Sequence, residues 1–226
     1  KQTIKEIIAP TGIDASELNS LEIISATNKL ARSFYVSNLP RMATFPSLFR
    51  DLYNFGDVNV SLYINPVGEE RSQKELNKII NELETERMVA QDRGSINRES
   101  DLSYKKSETE QLRDEIAAGF NKLYEATIIA TLFAYNQSEL DNFTKILSSE
   151  MAKNLINVRS AWGMQEEVFK ANLPFAENRI ENKSHVFDKK SMCTVFPFIN
   201  ADIGHSTGIP LGYNKQTGNL ILYDNF

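Results

Sequence analysis

A single cysteine in 226 residues, Cys193, excludes an internal disulfide and a cysteine-based zinc cluster. Its apolar neighbours Met192, Val195 and Phe196 predict a buried thiol in a reducing compartment. Long hydrophobic runs are missing too. The longest, residues 126–135, is broken by Thr127 and Thr131 and falls far short of the roughly 18 residues that cross a bilayer as a helix. Positive charge is in deficit, with 25 Lys and Arg against 30 Asp and Glu. The resulting net charge of −5 argues against broad binding to phosphate backbones, which draws its strength from clustered cations.

Catalytic motifs are equally scarce. H-E-x-x-H, C-x-x-C and G-x-S-x-G are absent, and His185 and His205 stand in polar or Gly-rich stretches without metal-ligand spacing. Both read as structural or solvent-exposed. Gly204, Gly208, Gly212 and Gly218 lack the Lys-Ser/Thr of a phosphate loop and flank β-structure, so they read as turn glycines. Glu139 with Asp141, and Glu166 with Glu167, fall where helix-capping, solvated carboxylates are usual. The expectation is no catalytic, no cofactor-binding and no metal-ligating residue, and no enzyme in this chain.

What is present is an ordinary globular composition, 41% hydrophobic and 24% charged, sufficient for a sizeable core. Residues 1–20 read as an edge segment. Extended stretches follow at 21–26 and 31–38, the second with Phe34 and Val36 alternating against Ser33, Tyr35 and Ser37. Thr44 is a plausible N-cap for a helix carrying Phe45, Leu48, Phe49 and Leu52 and stopping at Gly56. Residues 57–65 form the clearest strand, with Val58, Val60, Leu62 and Ile64 on a buried face and Asn59, Ser61 and Tyr63 on a half-wet one.

Residues 69–122 change texture to dense mixed charge with apolar residues at helical spacing, at Leu76, Ile79, Ile80 and Leu83, then Leu112, Ile116 and Phe120. A helical hairpin fits, with a flexible tip over 92–103 and i,i+4 pairs such as Glu70 with Lys74. Residues 125–135 return to strand and are apolar on both faces, which predicts a central strand covered on both sides. Ser138 opens an S-x-x-D cap before a helix with Leu140, Phe143, Leu147 and Met151, reaching about Lys153. A strand over 155–159 and a short helix over 164–171 come next. Strand, helix, strand, insertion, strand, helix, strand is the order of a ferredoxin-like α/β plait, an α+β fold of two βαβ halves. On this reading 21–160 is the plait-like domain with its helical insertion at 69–122, and 161–226 holds a connecting helix and a C-terminal β-hairpin around the turn signal 214–218.

The terminal motifs Phe196-Pro197-Phe198, Gly208-Ile209-Pro210-Leu211-Gly212-Tyr213-Asn214, Thr217-Gly218 and Asp224-Asn225-Phe226 resemble the segment before the P-loop in conjugation and type IV secretion ATPases of the CagE/TrbE/VirB family. The stretch 35–53, YVSNLPRMATFPSLFRDLY, with the strand at 57–66, is similar to that family's tyrosine-rich strand, proline-led helix and D-V-x-V strand. The likeness spans residues 21–226 and points to the form found on Gram-positive plasmids or conjugative transposons.

The resemblance implies a cytoplasmic parent ATPase, peripheral at the inner face of the cell membrane, whose P-loop, ATP and Mg²⁺ belong to a domain beyond Phe226. A chain starting at Lys1 and ending on a strand fits a piece of such a protein. This chain would be the non-catalytic N-terminal domain, with no cofactor of its own. Its implied partners are inner-membrane channel proteins, its own ATPase domain and further copies of the parent, with no direct nucleic acid contact. The helical hairpin and the wet sheet face are the expected contact surfaces. Two alternatives come from other classes. One is a stand-alone plait that stacks single-stranded nucleic acid on Tyr35 and Tyr63; the other is an independent small-molecule enzyme.

Overall fold

The computed structural model describes residues 10–25, 27–40, 48–175, 177–196, 208–213 and 220–223. In chain order the elements are β1 (Gly12–Asp14), β2 (Leu21–Ile24), β3 (Lys29–Asn38), α1 (Arg50–Tyr53), β4 (Val58–Pro66), α2 (Glu69–Asp92), α3 (Ile96–Ala117), β5 (Leu123–Ala134), α4 (Gln137–Lys153), β6 (Asn157–Ser160), α5 (Gln165–Ala171), a 3-10 turn (Glu181–Lys183), β7 (His185–Asp188), α6 (Lys189–Thr194), β8 (Ile209–Tyr213) and β9 (Leu220–Tyr223). The fold is mixed α+β. Seven strands form one sheet in the order β1–β2–β3–β5–β4, and every ladder among them is antiparallel. Phe34 and Tyr35 pair with β5 on one side and β6 on the other, so β6 continues the edge of β3 that β2 occupies first. In the same way β7 extends the edge of β5 beyond β3. β8 and β9 pair only with each other, as the hairpin pattern predicts; its turn, and the motif 196–198 beyond Phe196, lie outside the described residues.

β5 explains the layering. Its even positions Ala126, Ile128, Ala130, Leu132 and Ala134 are buried against Leu52, Leu140, Leu147 and Met151 on α1 and α4. Its odd positions Thr127, Ile129 and Thr131 are buried on the opposite face, beneath α5 and the chain that follows it. A strand covered on both faces needs apolar or internally satisfied side chains at every position, which is what residues 126–132 supply. The expected two-sided central strand is observed. α1 rests on the same even face through Phe49 and Leu52, and Tyr53 Oη donates to Val195 O at 2.7 Å. Thr44, Phe45 and Pro46, the expected start of that helix, lie outside the described residues.

Several local expectations need correction. β4 is an outer strand with no fully buried residue, and Ile64 is 45% exposed, because one of its edges and part of both faces meet solvent. It includes Pro66, tolerated because a terminal position on an outer strand need not donate to a ladder. The cap of α4 is Asn136, whose Oδ1 accepts from Glu139 N at 2.8 Å while Glu139 Oε2 accepts from Tyr135 N at 3.0 Å. The cap resembles a capping box, with the Glu139 carboxylate closing on the residue before the cap, and it lies two residues ahead of the expected Ser138. Cys193 is exposed, and Val195, just past the end of α6, is the residue that packs inward.

The C-terminus of α4 also displaces the expected strand. Leu155 takes φ 58°, Ile156 N donates to Met151 O at 3.1 Å and Leu155 N to Ala152 O at 3.0 Å. These are the paired bonds of a Schellman motif, with Ile156 and Met151 both buried. β6 therefore starts at Asn157, and Leu155, 71% exposed, sits where glycine is usual. Replacing it with glycine removes a left-handed strain of about 1–2 kcal/mol at a smaller entropic cost. Leu155→Gly should therefore raise the urea-unfolding free energy by up to about 1 kcal/mol, and a loss of stability would contradict this reading of the turn.

Candidate functional site: a projecting helical hairpin

The hairpin α2–α3 is inserted between two neighbouring strands. Pro66 pairs with Tyr124, and Val67 N donates to Leu123 O at 2.9 Å, so β4 and β5 already meet where the insertion leaves and returns. Its helices of 24 and 22 residues span about 36 and 33 Å at 1.5 Å per residue. The root is apolar, with Val67, Leu76, Ile116 and Leu123 buried together. The tip corrects the expectation of a flexible 92–103 segment. Residues from Ile96 onward are helical, and the turn is only Arg93, Gly94 and Ser95, made possible by Gly94 at φ 66°.

Beyond the root the seam between the helices becomes polar. Ile80, Ala90 and Leu102 are buried, but between them Glu84 accepts from Arg87 Nη2 at 2.8 Å and Lys106 Nζ at 3.0 Å. Arg87 also faces Glu99 at 3.5 Å. Hydrogen bonds from Arg87 and Lys106 hold the Glu84 carboxyl at about 2, well below its ordinary 4.5. The outer faces carry i,i+4 pairs, Arg71–Glu75 at 3.0 Å and Lys105–Asp101 at 2.7 Å among them. Met88, Val89, Ile96 and Tyr104 are exposed on the distal half, and α3 buries only Leu102 and Ile116 among its residues. The arm is thus held by its root and a charged seam, with its distal surface uncovered.

The second expected surface, the wet face of the sheet, is not free. α5 and the following loop close it with a set of matched amides. Gln165 Oε1 accepts from Ser33 N at 2.8 Å, and Asn172 Nδ2 donates to Asn59 O at 2.8 Å and Thr131 Oγ1 at 2.9 Å. Asn178 Nδ2 donates to Thr127 Oγ1 at 2.9 Å. Tyr63 Oη lies 2.5 Å from Ala171 O and 3.0 Å from Glu177 O, donating into the covering segment. Tyr35 packs on the same cluster. Nothing in the polar run 172–184 has the periodicity that would have announced this cover.

The described histidine and helix carboxylates make structural contacts. His185 Nε2 donates to Val36 O at 2.9 Å, while His205, Gly204 and Gly218 lie outside the described residues. Asp141 pairs with the buried Arg32 at 2.9 Å, Glu139 completes the α4 cap, and Glu166 is paired with Lys170. Gly212 stands at the irregularity in the β8–β9 ladder. Among the described residues, no group of three or more His, Cys, Asp or Glu could hold a metal, and no helix is long and apolar enough to cross a membrane. No family model matches the chain, and no curated protein matches it.

The Glu84 seam sets a pH dependence. A carboxyl depressed in the folded state contributes stability above its ordinary value and loses it as pH falls through the folded one. Helical circular dichroism of the chain should therefore fall between pH 4.5 and about 2, and Glu84→Gln should weaken the hairpin at neutral pH while flattening that acid limb. An acid limb unchanged in the variant would contradict the assignment.

Proposed function

We propose that this chain is the non-catalytic N-terminal domain of a conjugation or type IV secretion ATPase of the CagE/TrbE/VirB family, built on a ferredoxin-like plait. The observation that carries the proposal is the insertion of α2–α3 at a point where β4 and β5 already pair. A long arm that leaves the sheet ladder intact is available for contact. Its exposed Met88, Val89, Ile96 and Tyr104 offer apolar anchors within a charged rim, the composition of a protein-docking surface. The plait reading is supported by the strand order β6–β3–β5–β4, all antiparallel, with α1 linking β3 to β4 and α4 linking β5 to β6 over one face. The family reading rests on the tyrosine-rich and glycine–proline motifs of residues 35–66 and 196–226.

In this role the domain docks the motor, peripheral at the inner face of the membrane, onto inner-membrane channel proteins and supports its oligomerisation. ATP and Mg²⁺ are bound by the parent's own ATPase domain. The nucleic-acid alternative requires the aromatic faces of Tyr35 and Tyr63, which pack under α5 and its loop.

The coding sequence tests the assignment directly. Beyond Phe226 it should encode G-x-x-x-x-G-K-[ST] behind a strand pattern within about 20 residues. A stop codon or an unrelated domain there would overturn the motor assignment.

A further inference from the structure

A separate cavity of about 270 Å³ opens between the end of β3, β6 and the 3-10 turn, lined by Tyr35, Ser37, Arg159, Lys183, Ser184 and His185 among others. The β3–β6 register sets Arg159 directly opposite Tyr35, so both side chains leave the sheet on the same face. Lys183 Nζ stands 5.4 Å from the centre of the Tyr35 ring, which holds the ammonium from the other side. His185 Nε2 and Ser37 Oγ are committed to the carbonyls of Val36 and Asn157, at 2.9 and 3.0 Å. They fix the wall. Arg159, Lys183 and the Ser184 hydroxyl remain as donors.

Many of the described arginines and lysines sit in ion pairs, Arg32, Arg71, Arg87, Lys106, Lys170 and Arg179 among them. Among the described residues Arg159 has no ion pair, the contact of Lys183 is with the ring, and no Asp or Glu lines the cavity. An oxyanion in this cavity would have both cations on its walls to receive it. Arg presents the planar fork that suits a phosphate, and Lys the point charge.

We propose that this cavity binds a single phosphate group, free or carried by a small monoester. Its volume is below the roughly 300–1,000 Å³ of sites for drug-sized ligands, which suits a small anion. One cavity with two cations, in place of a stripe of them, favours an isolated phosphate over a nucleic-acid backbone. The proposal is independent of the secretion-ATPase reading and concerns residues outside the arm.

The test is titration of the full chain with sodium phosphate at fixed ionic strength, read by calorimetry and melting temperature, with sodium chloride as control. Phosphate should raise the melting temperature and chloride should not. Arg159→Gln and Lys183→Gln should each weaken binding about tenfold or more, and Arg159→Lys, which keeps the charge but loses the fork, should weaken it by less than Arg159→Gln does. Arg159 is exposed and unpaired among the described residues, so its variants keep the fold, which circular dichroism checks. A parallel arm uses phosphatidylcholine vesicles with and without phosphatidic acid. Binding confined to phosphatidic acid and lost in Arg159→Gln supports the same site with a lipid headgroup as source. No response to either probe, or wild-type titration by both Gln variants, would overturn the proposal.

Discussion

A strand buried on both faces is the constraint on which the rest of this structure depends. β5 is 12 residues long, pairs on both edges, and has helices above it and a helix with a polar loop below it. On the even face the requirement is met by shape, because Ala126, Ala130 and Ala134 leave room for α4 between Ile128 and Leu132. On the odd face it is met by hydrogen bonds. Thr127 and Thr131 are buried there and would be costly without partners, so Asn178, Asn172 and Ser33 must be positioned to supply them. Ser33 lies on β3 between the stretches that pair with β2 and β6, and the Gln165 side chain with Ala161 N serves its backbone groups. The two layers are therefore unlike in chemistry, and both are tied to one strand.

The arm follows from the same constraint. Since β4 pairs with β5 from Val58 to Pro66, the ladder between them is complete without any residue of α2 or α3. The insertion needs only the small root of Val67, Leu76, Ile116 and Leu123 to fix its direction, and its charged seam keeps the helices together without demanding a large core. Solvent-screened pairs of this kind contribute little individually. The network at Glu84 is stronger in consequence because two cations converge on one carboxylate. An arm so built can expose apolar residues at its distal end without opening the core.

Much of this was legible in the residues. The two-sided apolarity of 126–134, the stripe Leu140, Leu147 and Met151, and the charge-dense 69–122 stretch each determine their element by periodicity alone. What was not legible depends on tertiary partners. Asn136 and Ser138 are both acceptable caps, and only the reach of Glu139 back to Tyr135 N decides between them. The polar residues 92–103 looked like a loop because α3 has almost no buried face to betray it. Cys193 stands among apolar neighbours, yet it is Val195, just past α6, that is buried. The cover over the second face is made of Gln and Asn side chains, whose role appears only once Ser33, Thr127 and Thr131 are seen opposite them.

The central claim is that the sheet and its helices stand without the arm, which is what frees the arm to serve another molecule. The most direct measurement is urea unfolding of a variant in which residues 68–122 are replaced by an Asn-Gly turn joining Val67 to Leu123. The account predicts a single cooperative transition, with helical circular dichroism reduced in proportion to the two deleted helices. A variant without a cooperative transition would show that the arm is part of the core and would contradict the account.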